Sequence, residues 1–261
     1  MLRYYRTRAG MTTEALGQRI HMSGSLIRKI EDGSRTPSAA LAEACEHVPE
    51  LECNGALTRL HALLSEHLRA GGYPVWFADW PRREALARRL RSFELAVVPG
   101  LLQTEAYARA VLATGVGVSD GDLDVAVAAR MERQQILNRD DPPDLWVIVD
   151  EAVLRRPVGG SAVMREQLEY LAGAARRPNV VIQVIPAATG AHQGLNGGAF
   201  AVADFDGSPS VAYMDSALSG TIVEDAEEVD ELALTWDTLG IEALPRVASL
   251  SLIEEVAKSW I

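Results

Sequence analysis

In the first forty residues the apolar positions recur at helical spacing, interrupted by short polar breaks. Leu2–Ala9 reads as a first helix stopped at Gly10, a usual helix-ending residue. Thr12 is placed to cap a second helix in which Ala15, Leu16 and Ile20 share a face, and a break follows at His21–Met22. Ser23 then caps a third helix that turns Leu26, Ile27 and Ile30 inward and ends at Gly33. Pro37 and Ser38 restart the chain into a fourth helix over Ala39–His47. Leu57, Leu60, Leu64 and Leu68 stripe another amphipathic helix within residues 54–70, and G-G-Y-P at 71–74 breaks the pattern. Two domains are expected, residues 1–70 and residues 71–261.

Beyond that break the period changes repeatedly. Helices are predicted at about 82–93, from just after Leu102, and over Val125–Leu137. At Asp144 the run D-L-W-V-I-V-D-E reads as a buried strand, followed by a helix over Ser161–Ala175 and a strand at V-V-I-Q-V-I-P. A-F-A-V-A-D-F and S-V-A-Y-M-D are further strands around a D-G-S-P turn, and helices over Glu224–Leu239 and near Ser249–Trp260 finish the chain. The expected class is α+β, an all-α N-terminal domain followed by a larger domain of helices packed on a mixed sheet.

Charge changes this picture. The net charge of −11 argues against a chain that coats nucleic acid along its whole length. Residues 1–39, however, carry seven basic against three acidic residues, a net of +4, while the remainder holds 18 basic against 33 acidic. A small basic head on a large acidic body is the pattern of a localised phosphate-binding surface. No apolar run approaches the roughly 20 residues of a membrane span, and no apolar stretch follows the basic N-terminus as in a signal peptide. A cytoplasmic protein without a membrane partner is expected. Cys45 and Cys53, with His47 between them, match no common zinc arrangement, so reduced thiols and no metal or other cofactor are expected.

Two helices around a tight turn, the second with a polar N-cap, are what places a helix in the major groove of duplex DNA. Small Ala15 is expected to permit their close approach, over a core of Leu16, Met22, Ile27 and Ile30. The segment R-T-R-A-G-M-T-T-E-A-L-G-Q-R-I-H-M-S-G-S-L-I-R-K-I-E-D-G-S-R-T-P-S resembles the lambda-repressor/Cro-type, or Xre-like, helix-turn-helix family over about forty residues. It departs from that family at Thr13 (usually Gln), Gly17 (usually Ala) and His21 (usually Gly). Helix one also begins almost at Met1, so that residues preceding it in the family are expected to be missing. The resemblance implies base reading by Gly24, Ser25 and Arg28, with Arg28 the foremost because arginine can bond guanine through two hydrogen bonds. It implies phosphate contacts from Thr13, Lys29 and Arg35, which position the domain without reading sequence. It also implies a homodimer on half-sites about one DNA turn apart. The bland alternative is a solvated helix face on which Arg28 and Lys29 pair with Glu31 and Asp32.

From residue 76 onward W-F-A-D-W, F-E-L-A-V-V-P-G-L-L-Q-T-E-A-Y-A-R-A, A-A-R-M-E-R-Q-Q-I-L and V-D-E-A-V-L-R-R-P-V-G-G resemble the WhiJ-like regulators of filamentous actinobacteria. That resemblance implies control of development or secondary metabolism, often beside a small acidic partner protein. No G-x-S-x-G elbow, P-loop, dinucleotide glycine fingerprint or HExxH is present, so no enzyme is expected. The competing enzymatic reading is a tethered acid–base site of Glu151 and His192. A third reading is a protein-interaction module with a degenerate head. Trp76, Phe77, Trp80, Phe93 and Tyr107, with Glu151 and His192 nearby, are candidates to line a small-molecule effector pocket; packing of helices onto the sheet is the alternative.

Overall fold

The computed structural model describes residues 1–32, 37–68, 77, 79–115, 120–215 and 220–261, with the backbone alone for 63–68. The chain separates into two compact units, Met1–Ala70 and Gly71–Ile261. The first is all helical: α1 (Leu2–Arg8), α2 (Thr13–Arg19), α3 (Gly24–Glu31), α4 (Ala39–Glu46) and α5 (Ala56–Leu68). Three of these start where a hydroxyl can accept from an otherwise unpaired helical N–H. Thr12 accepts from Ala15, Ser23 from Leu26 and Ser38 from Leu41. Leu16, Ile27, Cys45 and Leu51 are wholly enclosed at the centre of its core. Burial of each leucine or isoleucine is worth about 1.5–3 kcal/mol. The predicted helix end at Gly33 lies outside the described residues, and α3 already stops at Glu31 with Asp32 as its C-cap. Cys45 and Cys53 are free and buried; burial, aided by neighbouring charge, pushes Cys45 up to about 12 and Cys53 up to about 11, so both stay protonated and unreactive.

The second unit is a six-stranded mixed sheet carrying helices. In chain order its elements are α6 (Trp80–Leu86), β1 (Arg89–Glu94), α7 (Glu105–Leu112), α8 (Asp120–Arg133), β2 (Asp144–Asp150), α9 (Glu151–Arg155), α10 (Ser161–Ala174), β3 (Val180–Ile185), α11 (Gly194–Gly197), β4 (Phe200–Asp204), β5 (Val211–Asp215), β6 (Gly220–Val223), α12 (Ala226–Glu242) and α13 (Arg246–Ser259). The strand order is β3-β2-β1-β4-β5-β6. β1, β2 and β3 are parallel, with helices in each crossover, and β4, β5 and β6 form an antiparallel meander beside β1. One sheet face packs on α10 and α13 through Met164, Leu168, Ile253 and Val256. The other is covered by α12 through Val229, Trp236 and Leu239.

The helix predicted at 82–93 is overturned in its second half. Only α6 is helical there; Arg89–Glu94 is β1, in the middle of the sheet. Its residues alternate between faces, Leu90 toward α10 and α13 and Phe93 toward α12. The two arginines of the strand find partners far away in sequence. Arg89 lies over the Trp146 ring at 4.3 Å, and Arg91 donates to Asp204 at 2.9 Å.

The loop between β1 and α7, V-P-G-L-L-Q-T, is held by buried amides. Gln167 donates to the Leu102 carbonyl at 2.7 Å and accepts from Thr104 N–H at 2.7 Å. Gln134 donates to the carbonyls of Gly100 and Gln103, and the Gln103 amide donates to Val98. The Tyr107 hydroxyl accepts from Val98 N–H at 3.1 Å. Backbone groups of Val98, Gly100, Leu102, Gln103 and Thr104 thus find side-chain partners, which fixes the loop as a wall of the site below.

Candidate nucleic-acid interface and ligand cavity

The α2–α3 crossing depends on two glycines. A Cβ on Gly17 would lie 2.5 Å from the Met22 carbonyl oxygen and 3.0 Å from Gly24 N. A Cβ on Gly24 would lie 3.0 Å from Glu14 Cα. Gly17 rather than Ala15 therefore permits the close approach, and Gly24 serves packing: it has no side chain with which to read a base. Between the helices His21 takes a left-handed backbone with φ of 57°, the conformation a glycine would hold more cheaply.

On this frame Ile27 points into the core while Ser25, Arg28 and Lys29 stand exposed along one edge of α3. Arg28 reaches back to α2, 3.1 Å from Glu14 Oε1 and 3.4 Å from the Thr13 hydroxyl. Both members of the Arg28–Glu14 pair are more than half exposed, so the pair is weak and exchangeable. Thr13 itself is only 9% exposed and donates to Glu14, a poor position for gripping a phosphate. Arg35 lies outside the described residues. Glu31 does not pair with Arg28: Arg6 grips both its oxygens at 2.6 and 2.7 Å, and Arg3 adds a contact at 3.3 Å. The Arg6–Glu31 pair ties α1 to the C-terminal end of α3, and Arg6 also donates to the Met11 carbonyl at 2.7 Å, in the connection from α1 to α2. The Arg6 guanidinium holds the Glu31 carboxyl below the usual carboxylate range. Arg6 is thus spent internally, while Arg3 and Arg8 on α1 and Arg19 on α2 stay exposed alongside Arg28 and Lys29 on α3.

In the second unit the predicted pocket residues do not converge. Trp76 lies outside the described residues. Tyr107 is fully enclosed in the core, and Phe93 lies on the α12 side of the sheet against Phe200 and His192. Glu151 accepts from Ala187 N–H at 2.8 Å and from Arg155 at 2.7 Å. Burial opposes its ionisation, but these two donors hold its carboxyl below the ordinary range. His192 is paired instead with Asp150, Nε2 to Oδ2 at 2.9 Å, and among the described residues its buried Nδ1 has no hydrogen-bond partner. Glu151 and His192 therefore form no acid–base pair with each other.

Phe77 and Trp80 do line a cavity, of about 230 Å³, at the C-terminal end of β1. Their rings flank Tyr213, Trp80 stacked at 5.2 Å and Phe77 edge-on at 5.4 Å. The polar wall went unrecognised in the sequence. Buried Glu84 accepts from the Trp80 indole N–H at 2.8 Å and pairs with Arg133 at 2.8 Å. Burial raises its carboxyl pKa, against the pull of Arg133 and Trp80. Arg130 donates to Gln103 at 2.8 Å. Glu94 and Asp215 complete the wall; Ser92 donates to Glu94 at 3.2 Å, and the Tyr213 hydroxyl donates to Asp215. Burial pushes the Glu94 carboxyl up to about 8, with the Asp215 charge adding to it and Ser92, Arg133 and Arg130 opposing. A larger open groove of about 800 Å³ runs past the other end of β1, its wall mixing four arginines with four acidic residues. Among the described residues no cluster fit to hold a metal ion is present, and no helix is long and apolar enough to cross a membrane.

Residues 1–48 match the family described as a helix-turn-helix domain, and residues 77–255 match the family described as a domain of unknown function (DUF5753). No curated protein and no solved structure matches the chain.

Proposed function

From the premise that the chain belongs to the DUF5753 family and carries a helix-turn-helix domain ahead of it, we propose that it is a sequence-specific DNA-binding regulator of transcription whose C-terminal domain binds an effector that alters DNA binding. One observation carries the reading: α3 is capped by Ser23, anchored by buried Ile27 and Glu31, and presents Ser25, Arg28 and Lys29 outward. This is the arrangement of a helix that enters the major groove, with phosphate contacts flanking base contacts. The reading places the chain with Xre-like, Cro-type heads and WhiJ-like bodies. A single head covers little DNA, so a homodimer on a two-fold operator belongs to the same reading.

The Arg28–Glu14 contact gives the head a stored alternative. On DNA, Arg28 exchanges an exposed carboxylate for a guanine edge or a phosphate. An effector changes operator affinity only through a difference in its affinity for the DNA-competent and incompetent states. A small molecule or a small acidic partner protein fills this role in the reading.

The test is binding of the full chain to its own upstream DNA and to a scrambled duplex of the same composition. Saturable, sequence-selective binding that Arg28→Ala weakens at least tenfold supports the reading, since a good bidentate base contact is worth about 1–3 kcal/mol. Equal affinity for both duplexes overturns it.

A further inference from the structure

We propose that Glu14 is a second base-reading residue of the head, accepting from the amino group of a cytosine in the base pair next to the guanine that Arg28 takes. The proposal rests on the reading of the head as a DNA-binding domain and assigns part of the sequence that it selects.

A helix that enters the major groove meets base edges with its N-terminal residues. The first residue of α3 is Gly24, which has no side chain to offer them. That space is filled from α2. A Cβ on Gly24 would lie 3.0 Å from Glu14 Cα and 3.1 Å from Glu14 Cγ, so the glutamate stem runs across the start of α3 where a side chain at position 24 would begin. The Glu14 side chain is more than half exposed, and its carboxylate ends beside Arg28. Gly24 thus does more than let the helices meet: it gives up its place at the groove to a residue of the neighbouring helix.

The hydrogen bonds at Glu14 show which atom becomes available. Thr13 donates to Oε2 at 3.0 Å, and Arg28 Nη2 donates to Oε1 at 3.1 Å. When Arg28 turns to a guanine, Thr13 still holds Oε2, and Oε1 is left as an acceptor whose direction is set. The Glu14 backbone N–H and the Thr13 hydroxyl hold this carboxyl below the usual carboxylate range, against slight desolvation, with Arg28 and Arg6 adding to the effect. It is therefore ionised at neutral pH and can only accept.

Few base edges suit an ionised acceptor. Guanine presents N7 and O6 and thymine O4, all of them acceptors, and adenine sets the acceptor N7 beside its amino group. Cytosine presents an amino donor with no acceptor beside it. The tips of Arg28 and Glu14 are one hydrogen bond apart, and successive bases of a strand are about 3.4 Å apart, so the two side chains fit neighbouring base pairs. On any other sequence, Arg28 leaving for a phosphate strands Glu14 among phosphates without a donor. The closed Arg28–Glu14 pair is thus favoured on the wrong duplex and opened by the right one, which turns a weak exposed ion pair into a filter.

The test is selection of binding sites from a random duplex library by the full chain, followed by titration of the selected half-site and its single-base variants. The natural protein should select a guanine with a cytosine in the next base pair, and replacing that cytosine should weaken binding about fivefold or more. Glu14→Gln should move the preference at that position from cytosine to adenine, because an amide pairs with adenine N6 and N7 together. Glu14→Ala should erase the preference there and keep the guanine, whereas Arg28→Ala should erase the guanine. Glu14 is exposed, so both of its variants should melt as the natural protein does. The same motif in the natural protein, Glu14→Gln and Glu14→Ala, even with tighter binding to every sequence alike, overturns the proposal and leaves the regulator reading in place. Failure of the natural protein to select any motif overturns both.

Discussion

Glu31 in the head and Glu94 in the body are both carboxylates drawn out of bulk water, and they end in opposite states. Glu31 is claimed by Arg6 and Arg3 and is held ionised below the usual range. Glu94 meets a serine hydroxyl and another carboxylate, and its pKa is pushed up to about 8. A buried charge with its full complement of partners fixes geometry: here, the way α1 meets α3. Where burial outweighs the pull of nearby cations, as it does for Glu94 beside Arg133 and Arg130, the carboxyl is costly to keep ionised. The head reads as a closed structure with one exposed edge, the body as a structure with an open internal site.

The strongest way to break the comparison is to open the closed pair. Arg6→Ala should destabilise the head by about 3 kcal/mol, the lower end for stripping one partner from a buried pair. Chemical denaturation of the full chain should show it as an earlier head transition, and combining it with Glu31→Gln should cost less than the sum of the two. Next in size are opposite pH dependences. A carboxylate held low stabilises above its unfolded pKa, so head stability should fall as pH drops below about 4.5. The raised Glu94 acts the other way: its contribution is complete below the unfolded carboxylate pKa and is lost as pH rises through about 8. Melting of the body should therefore weaken as pH rises from about 4.5 to about 8 and level off above that, and Glu94→Gln should flatten the trend.

Smaller effects probe the helix crossing. Gly17→Ala forces a Cβ against the Met22 carbonyl at 2.5 Å and should cost about 1–3 kcal/mol, as overpacking does. His21→Gly relieves a left-handed residue and should stabilise the head by about 1 kcal/mol at most. No gain in melting temperature would mean that the turn is not strained at His21.

The head was legible because its signals are local. Thr12, Ser23 and Ser38 sit within three residues of the N–H groups they satisfy, and Leu16 and Ile27 lie at helical spacing. What escaped was set at a distance. Strand β1, expected as the second half of a helix, has partners far along the chain: Trp146 and Asp204 lie 57 and 113 residues from Arg89 and Arg91. The cavity wall was illegible for the same reason, with Glu84, Glu94, Arg133 and Asp215 coming from α6, β1, α8 and β5. Trp80 lines the cavity, whereas Tyr107 lies in the core and His192 pairs with Asp150 rather than with Glu151. Gly24, expected to read bases, instead lets α3 approach the first turn of α2.

The central claim is that the exposed edge of α3 reads DNA, and a salt series tests it most directly. Affinity of the full chain for its upstream duplex and for a scrambled one would be measured from about 50 to about 200 mM salt, for the natural protein and Arg28→Ala. The account predicts selective binding that weakens steeply with salt, with selectivity lost in Arg28→Ala while the scrambled duplex is bound almost as before. Unchanged selectivity in Arg28→Ala would contradict it and move the reading surface away from α3.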